Sequence, residues 1–368
     1  MLRKLASFDY NLPANLHAHD SPRYSRLTSM ATPRTKLADL AEYVGLSTAT
    51  VSRVLNGRGG VSDATREQVL AALDTLGYER PLKLRAKSTG LVGLILPSLE
   101  NPIYPSFAQI LSTDLARRGL TPILCPQDIG GVSEDEYVEI LLEHQVAGII
   151  FVAGHHADER SDKLRYQRLV SADLPIVLVN GYSPDIQARF VSDDDAAGME
   201  IAIDHLASLE HRRIGLTTGP RGLVATERRI RAFLRIMSER FDIDASESIA
   251  SSLLSVEGGQ DAAGQLIGKG HTALICGSDY TALGAVRAAR SRGLRVPQDV
   301  SVVGHDDSFL IGFTNPALTT IRQSVFPMCG AVVSILAAEI SGGRESPGSE
   351  LLFRPELLVR DSTGRAPQ

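Results

Sequence analysis

The sequence predicts a small all-α headpiece containing a helix-turn-helix, followed by an α/β body of two doubly wound parallel-sheet subdomains. Three observations lead there. Residues 37–76 carry apolar side chains at helical spacing, interrupted by glycine-containing turns. From residue 91 onward, short continuous apolar runs alternate with longer amphipathic stretches, the pattern of strands buried on both faces between covering helices. The charge is also divided: residues 1–90 hold 13 Lys and Arg against 8 Asp and Glu, whereas the remainder holds 25 against 35. A basic head on an acidic body points to a polyanionic partner for the head alone.

The totals agree with a soluble multidomain chain. At 368 residues, two or three folding units are expected, and 43% hydrophobic content with 5% aromatics and no Trp implies aliphatic cores. No apolar run approaches the roughly 18–20 residues that a bilayer crossing needs, and the start lacks the apolar stretch of an export signal, so a cytoplasmic location with no membrane partner is expected. Cys125, Cys276 and Cys329 are too scattered for a metal site or a disulfide framework and read as buried small hydrophobes.

Taken in order, residues 1–30 show neither helical nor strand period and read as a disordered extension. Met30 sits directly before the first ordered pattern and is expected to be the true initiator, which would leave residues 1–29 untranslated. Residues 31–78 form the helix-turn-helix domain. Leu37, Leu40, Ala41 and Val44 make the first helical stripe, Gly45 breaks it, and Ser47 is placed to cap a second helix whose apolar side is Val51, Val54 and Leu55. Ser62 caps a third helix with Val69, Leu73 and Leu76 inward, and Gly77 ends it. Residues 79–90 form a short basic linker with Pro81 and Gly90 as breakers.

The body, 91–368, offers strands at 91–97, 121–125, 147–152, 175–179, 213–218, 273–276 and 300–304. Helices are expected at 104–118, 133–144, 159–171, 194–209, 225–239, 257–268 and 279–291. About 270 such residues exceed one core, so two subdomains are expected. The first takes about 91–190 and 322–348, the second about 191–321 and 349–362, with crossings that make a hinge. The first strand runs into PSLENPIYPSF rather than a glycine-rich phosphate loop, so no nucleotide cofactor, and no cofactor of any other kind, is expected.

The second helix raises the functional question. With Val51, Val54 and Leu55 inward, it exposes Thr48, Ala49, Ser52 and Arg53, residue types that suit a DNA major groove. Small side chains allow close approach, a methyl can meet thymine, and a guanidinium can donate twice to guanine. Hydroxyls of Thr50 and Ser52, with the helix N-terminal amides, can hold phosphates. A solvated polar face is the bland alternative, but the preceding helix, the turn, the basic linker and the positive head favour DNA.

The segment LADLAEYVGLSTATVSRVLNGRGGVSDATREQVLAALDTLGY closely resembles the DNA-binding headpiece of the lactose-repressor family of bacterial transcription regulators. The resemblance extends through GPRGLVATERRIRAF, GSDYTALGAVRAARSRGLRVPQDVSVVGHDD, FTNPALTTIRQ and PELLVRDST to that family's effector-binding body, a periplasmic-binding-protein-like fold. It implies that Ser47, Thr48 and Ala49 begin the recognition helix, that Arg53 reads guanine, and that Asn56 lies near phosphate. In the body it implies effector contacts by Ile103, Tyr104, Asn180, Arg229, Asp279 and Asp306.

Two departures from the family pattern bear on function. The linker is about one helical turn short, so Leu84, flanked by Lys83 and Arg85, is either a minor-groove wedge or part of a basic strap on phosphates. Gly181, Leu223 and Leu254 stand where relatives place aromatic or polar cleft residues, which argues against stacking on a flat ligand. In addition, Glu210 replaces a helix-ending glycine and is strained if its backbone is left-handed.

Other chemistry finds little support. His155-His156 lacks the spacing of a helical metal pair, so no metal site is expected. Asp193-Asp194-Asp195 precedes a helix and reads as capping. No nucleophile motif occurs and no catalysis is expected. The reading is a sequence-specific transcription regulator, most simply a repressor, acting as a homodimer on a double-stranded DNA operator. An unidentified small-molecule effector, with sugar-like ligands among the candidates, would control it. A solute-binding protein of the same body fold without a DNA role is the alternative, and its features, an export signal and no headpiece, are the reverse of those seen here.

Overall fold

The computed structural model describes residues 37–55, 60–75, 90–128, 130–343 and 348–368. The expected extension 1–30 with Met30, the contact residue Asn56, and Lys83, Leu84 and Arg85 of the linker all lie outside the described residues. The chain divides into two compact units, the headpiece and the body.

Among its described residues the headpiece has three helices, α1 (Leu37–Val44), α2 (Thr48–Leu55) and α3 (Asp63–Thr75). Leu40, Ala41 and Val44 of α1, Val51 and Val54 of α2, and Val69, Ala72 and Leu73 of α3 form one buried cluster. Two eight-residue helices cannot hide such a stripe from water alone, which is why the third is needed. Gly45 takes φ +66°, closing α1 through Gly45 N to Glu42 O (3.2 Å) and Leu46 N to Ala41 O (3.0 Å). The Ser47 hydroxyl accepts from Thr50 N at 3.1 Å and that of Ser62 from Thr65 N at 3.2 Å, the expected caps. Gln68 Nε2 donates to Val44 O at 3.1 Å, tying α3 to the end of α1.

The body contains two sheets. The first is assembled from β1 (Leu91–Leu96), β2 (Thr121–Pro126), β3 (Gly148–Val152), β4 (Ile176–Val179), β5 (Arg189–Asp193) and β11 (Glu350–Phe353). They are ordered β11-β5-β4-β3-β1-β2, all parallel. The second sheet uses β6 (Ile214–Thr218), β7 (Ile249–Ser251), β8 (Ala273–Cys276), β9 (Ser301–Asp306), β10 (Thr319–Arg322) and β12 (Glu356–Leu358), ordered β12-β10-β9-β8-β6-β7. Only the β10–β12 pair in it is antiparallel.

Helices cover both faces of each sheet. On the first, α4 (Ile103–Arg117) and α11 (Val325–Ile340) bring Phe107, Leu111 and Val332 to Leu94 and Ile150. On its other face, α5 (Glu134–Glu143) and α6 (Leu164–Ser171) bring Leu141 and Tyr166 to Phe151 and Leu178. On the second sheet, α7 (Asp195–Ser208) and α8 (Val224–Phe241) lie on one face and α9 (Val256–Gly268) and α10 (Asp279–Ser291) on the other. Each fully buried large aliphatic or aromatic side chain contributes about 1.5–3 kcal/mol.

Three crossovers join the subdomains: 193–195 after β5, 322–325 after β10 and 353–356 after β11. They are bonded to one another by Asp194 N to Phe353 O (2.8 Å), Ser324 Oγ to Arg354 O (2.9 Å) and Ser324 N to Asp193 Oδ1 (3.3 Å).

Several expectations need correcting. Of residues 349–353, expected with the second subdomain, Glu350–Phe353 form β11, which pairs with β5 of the first sheet from Glu350 opposite Phe190 to Phe353 opposite Asp193. A strand following α11 reaches first the sheet on which α11 packs. Residues 191–193 likewise belong to the first sheet as the end of β5. The apolar pattern also misses β5 and β7, the one because RFVSD runs into acids and the other because a three-residue strand has too little pattern to register. Glu210 is left-handed at φ +68°, and its carboxylate is held by Arg365 (Nε to Oε2, 3.0 Å) of the C-terminal segment.

Candidate functional site

Two surfaces carry the residues singled out by sequence. On α2, Ser47, Thr48, Ala49 and Arg53 are exposed, while Thr50 and Ser52 are half-buried. Ser47 Oγ and Thr50 Oγ1 lie 2.8 Å apart, so in the headpiece alone the Thr50 hydroxyl completes the cap. The exposed side of α2 therefore presents one threonine and one methyl in its first turn and one guanidinium in its last. Its opposite side is spent in the core, where Val51 and Val54 are buried.

In the body, a cavity of about 130 Å³ lies between the two sheets at the C-terminal ends of their strands, where open parallel sheets place ligands. The strand ends supply it. Ala153 and Asn180 follow β3 and β4, Asp193 ends β5, Gly219 follows β6, and Asp306 and Gln323 close β9 and β10. Ile103, Tyr104 and Phe107 come from α4, and Thr226 and Arg229 from α8. Ala153, Asn180, Asp306 and Asp307 have φ of +47°, +60°, +110° and +58°, an unfavourable backbone for residues with a Cβ, concentrated where chains turn out of the sheets around the cavity. The rims meet: Glu159 N donates to Gly222 O (2.8 Å) and the Tyr280 hydroxyl to Glu100 O (2.6 Å).

Arg229 organises the second subdomain's wall. Its Nε donates to Asp195 Oδ1 (2.7 Å) and Nη1 to Gly277 O (2.8 Å), while Nη2 lies 2.7 Å from His305 Nε2. Burial works against its charge, but Asp195 and Asp306 hold the guanidinium above its ordinary value. His305 is held well below the usual imidazole range by burial and then by Arg229, so its Nε2 is the acceptor. Burial, then the charge of Asp279, keep the Asp306 carboxyl well above the ordinary carboxylate range, against Arg229, Gln323 and Asn101, which favour ionisation. Gln323 Nε2 donates to Asp306 Oδ1 at 2.6 Å. Tyr104 is pushed up to about 12 by burial and by Asp306, so its phenol is neutral and can donate.

Five of the six residues proposed for the cleft, Ile103, Tyr104, Asn180, Arg229 and Asp306, line the cavity; Asp279 does not. Asp279 is fully buried, with Oδ2 accepting from Ser308 N (2.6 Å) and Oδ1 from Thr320 Oγ1 (2.7 Å). It braces the segment after β9 from behind, because the start of α10 turns that side chain into the sheet. Sequence reasoning missed Asn101, Phe107, Asp193, Asp195 and Gln323. Phe107 could have been found as the residue one helical turn beyond Ile103; Asp193 and Asp195 stand in the aspartate run read as capping, and nothing local marks Asn101 or Gln323. Leu223 and Leu254 do line the cavity. Gly181 has a steric reason: a Cβ there would lie 2.5 Å from that of Ala157.

The histidine and aspartate runs resolve into separate roles. His156 is buried, its Nε2 lying 3.1 Å from Val179 O and its ring edge-on to Phe151 and Tyr166. Asp194 caps α7 by accepting from Ala197 N at 3.0 Å, as expected of the run, but Asp195 pairs with Arg229 and Asp193 faces the cavity. Among the described residues, no three His, Cys, Asp or Glu converge to hold a metal ion, and no helix is long and apolar enough to cross a membrane.

Comparison with known proteins identifies the family of both units. Residues 36–80 match the family model described as bacterial regulatory proteins, lacI family, and residues 203–363 match a periplasmic binding protein-like domain. The chain is 53% identical over 337 residues, 90% of its length and 98% of the relative's, to the HTH-type transcriptional regulator MalR of Streptomyces coelicolor. Among solved structures it resembles the lac repressor dimer bound to operator and the anti-inducer ONPF, at 28% identity and a TM-score of 0.71 over 89% of this chain and 98% of that one. A complex of the transcriptional regulator CelR with cellobiose aligns at 28% identity and a TM-score of 0.66, over 89% of this chain and all of the other.

Proposed function

The chain belongs to the lacI family of bacterial regulatory proteins and is a DNA-binding transcriptional regulator with a ligand-binding, periplasmic-binding-protein-like body, and from that premise we propose how each part acts. Thr48, Ala49 and Arg53 on α2 read bases in the major groove, while Ser47, Thr50 and Ser52 hold phosphates. Asn56, Lys83, Leu84 and Arg85 extend the contact. The observation that carries this reading is the division of α2, apolar on one side and exposed, small and cationic on the other. A gel shift with the promoter flanking its own gene tests it: selective binding at moderate salt is expected, and equal affinity for unrelated fragments refutes it. The protein acts in the cytoplasm as a repressor.

One headpiece makes too few base contacts for useful specificity, so the working form is a homodimer on a pseudopalindromic site. Phe309 and Phe313 support it: they are 81% and 79% exposed, with ring centroids 6.1 Å apart and Leu310 beside them. Bare aromatic surface of this kind is what a subunit contact covers. Replacing both phenylalanines by Asp should move the sedimentation coefficient toward that of a monomer.

The cleft binds, without turnover, a neutral polyhydroxyl effector. Three of the N–H groups of Arg229 are committed within the protein and its charge is already met by Asp195, so the cleft offers an anion little attraction. The similar regulator solved with cellobiose supports a sugar-like ligand. At about 130 Å³ the cavity is smaller than the roughly 300–1,000 Å³ of usual ligand sites, so a disaccharide must part the rims. Regulation follows: a ligand that favours one hinge angle changes the presentation of the linkers, and operator DNA reciprocally changes ligand affinity by the same factor.

A further inference from the structure

Asp193 stands where the ligand cavity and the hinge meet. It ends β5, begins the first crossover and is 3% exposed. Its amide donates to Asn180 Oδ1 at 3.2 Å, and its Oδ1 accepts from Ser324 N, on the second crossover, at 3.3 Å. Its Oδ2 is buried and has no hydrogen-bond partner among the described residues, although the residue lines the cavity. A buried carboxylate oxygen without a donor is costly, and the cavity is where a donor can arrive.

The surroundings restrict what that donor is. A ligand cation would sit close to the Arg229 guanidinium, and an anion would face Asp193 where it ionises and find Arg229 already paired with Asp195; a neutral hydroxyl meets neither objection. We propose that Asp193 is an effector-binding residue whose Oδ2 accepts a hydroxyl of a neutral polyol, and that the same carboxylate, through Ser324, carries ligand occupancy to the hinge. The proposal rests on the reading of the cleft as the effector site.

A pH signature follows. Burial, then the charge of Asp195 and, less strongly, that of Asp194, push the Asp193 carboxyl up to about 7, while the Ser324 amide and Arg229 pull the other way. Of the other titratable groups around the cavity, His305 and Tyr104 stay neutral near pH 7, while Asp195 and Asp306 are carboxyls whose ranges burial also raises, the first against its pairing with Arg229. A hydroxyl donating to ionised Asp193 lowers its pKa in the complex, so binding expels a proton and affinity rises with pH. The rise is up to about tenfold between pH 6 and 8.

The test is calorimetry on the full chain with ribose, cellobiose and maltotriose as probes at pH 6, 7 and 8, for wild type and for Asp193→Asn and Asp193→Ala. For the sugar that binds, the wild-type affinity should rise over this range. Asp193→Asn should lose about tenfold at pH 8, have a flat pH profile, and show a smaller sugar-induced change in operator affinity even at saturation. Wild-type affinity for Asp193→Asn with an unchanged profile, or a wild-type affinity that falls as pH rises, overturns the proposal while leaving the cleft reading intact. No heat with any of the three sugars in wild type overturns the cleft reading itself, and the proposal with it. A wild-type affinity that does not rise with pH overturns the proposal even if neither variant folds.

Discussion

The headpiece and the cleft make specific contacts by opposite physical means. On α2 the residues assigned to base reading are exposed, close in sequence, and carried on a helix whose other side joins an aliphatic core. In the cleft the polar residues are buried or half-buried, drawn from positions 101 to 323, and several are bonded to one another before any ligand arrives. A surface that fits a rigid partner can be built on one helix, and its residues can change with little effect on stability. A cavity that closes on a small molecule keeps polar groups out of water, so each of its residues bears on folding as well as on binding.

The largest expected effect is at Arg229. Arg229→Met leaves Asp195 buried and unpaired, and should destabilise the body by about 3–5 kcal/mol, seen as a lower Tm of the body transition with headpiece unfolding unchanged. A loss confined to ligand affinity, with normal stability, would break the distinction between the two sites.

The next effect depends on pH and needs no ligand. The folded-state pKa of Asp193, about 7, is raised above its unfolded value, so the folded state holds the proton more tightly. The resulting penalty is absent below about pH 4, grows as pH rises through about 7, and is then constant. Each tenfold by which folding tightens the hold on that proton costs the ionised protein about 1.4 kcal/mol at most. Asp193→Asn should therefore gain in Tm relative to wild type as pH is raised from 4 to 8; a difference independent of pH would show that burial there is incomplete.

On α2 the effects are smaller and fall on recognition. Arg53→Ala should cost about 1–3 kcal/mol of discrimination at one guanine, measured by competition gel shift with single-base operator variants, with no change in Tm. Ser47→Ala, which removes the cap of α2, should cost the headpiece about 1 kcal/mol by thermal denaturation, the smallest effect of the four. If Arg53→Ala lowered Tm as Arg229→Met does, the recognition face would be structural and the contrast would fail.

How much can be read from the sequence follows the same division. The α2 face is legible because helical period links residues three and four apart, so the inward valines at once identify the outward Thr48, Ala49 and Arg53. The strands of the body are legible where continuous apolar runs mark burial on both faces, and illegible at Arg189–Asp193, where the end of a strand must supply carboxylates to a cavity. The run of three aspartates reads as capping, which holds for Asp194 alone; its neighbours point elsewhere because backbone direction changes as β5 leaves the sheet.

Local pattern therefore determined the element types, the headpiece with its polar face, and the alternation that requires two wound sheets. It could do so because propensity, capping and period act between residues only a few positions apart. Tertiary structure alone decided that β11 joins the first sheet, that Asp279 braces while Asp306 lines, and that Asp193 meets both cavity and hinge. Those outcomes depend on which strand ends converge, and convergence is set by sheet order and crossover geometry, which join residues from 29 to more than a hundred positions apart and leave no periodic trace along the chain.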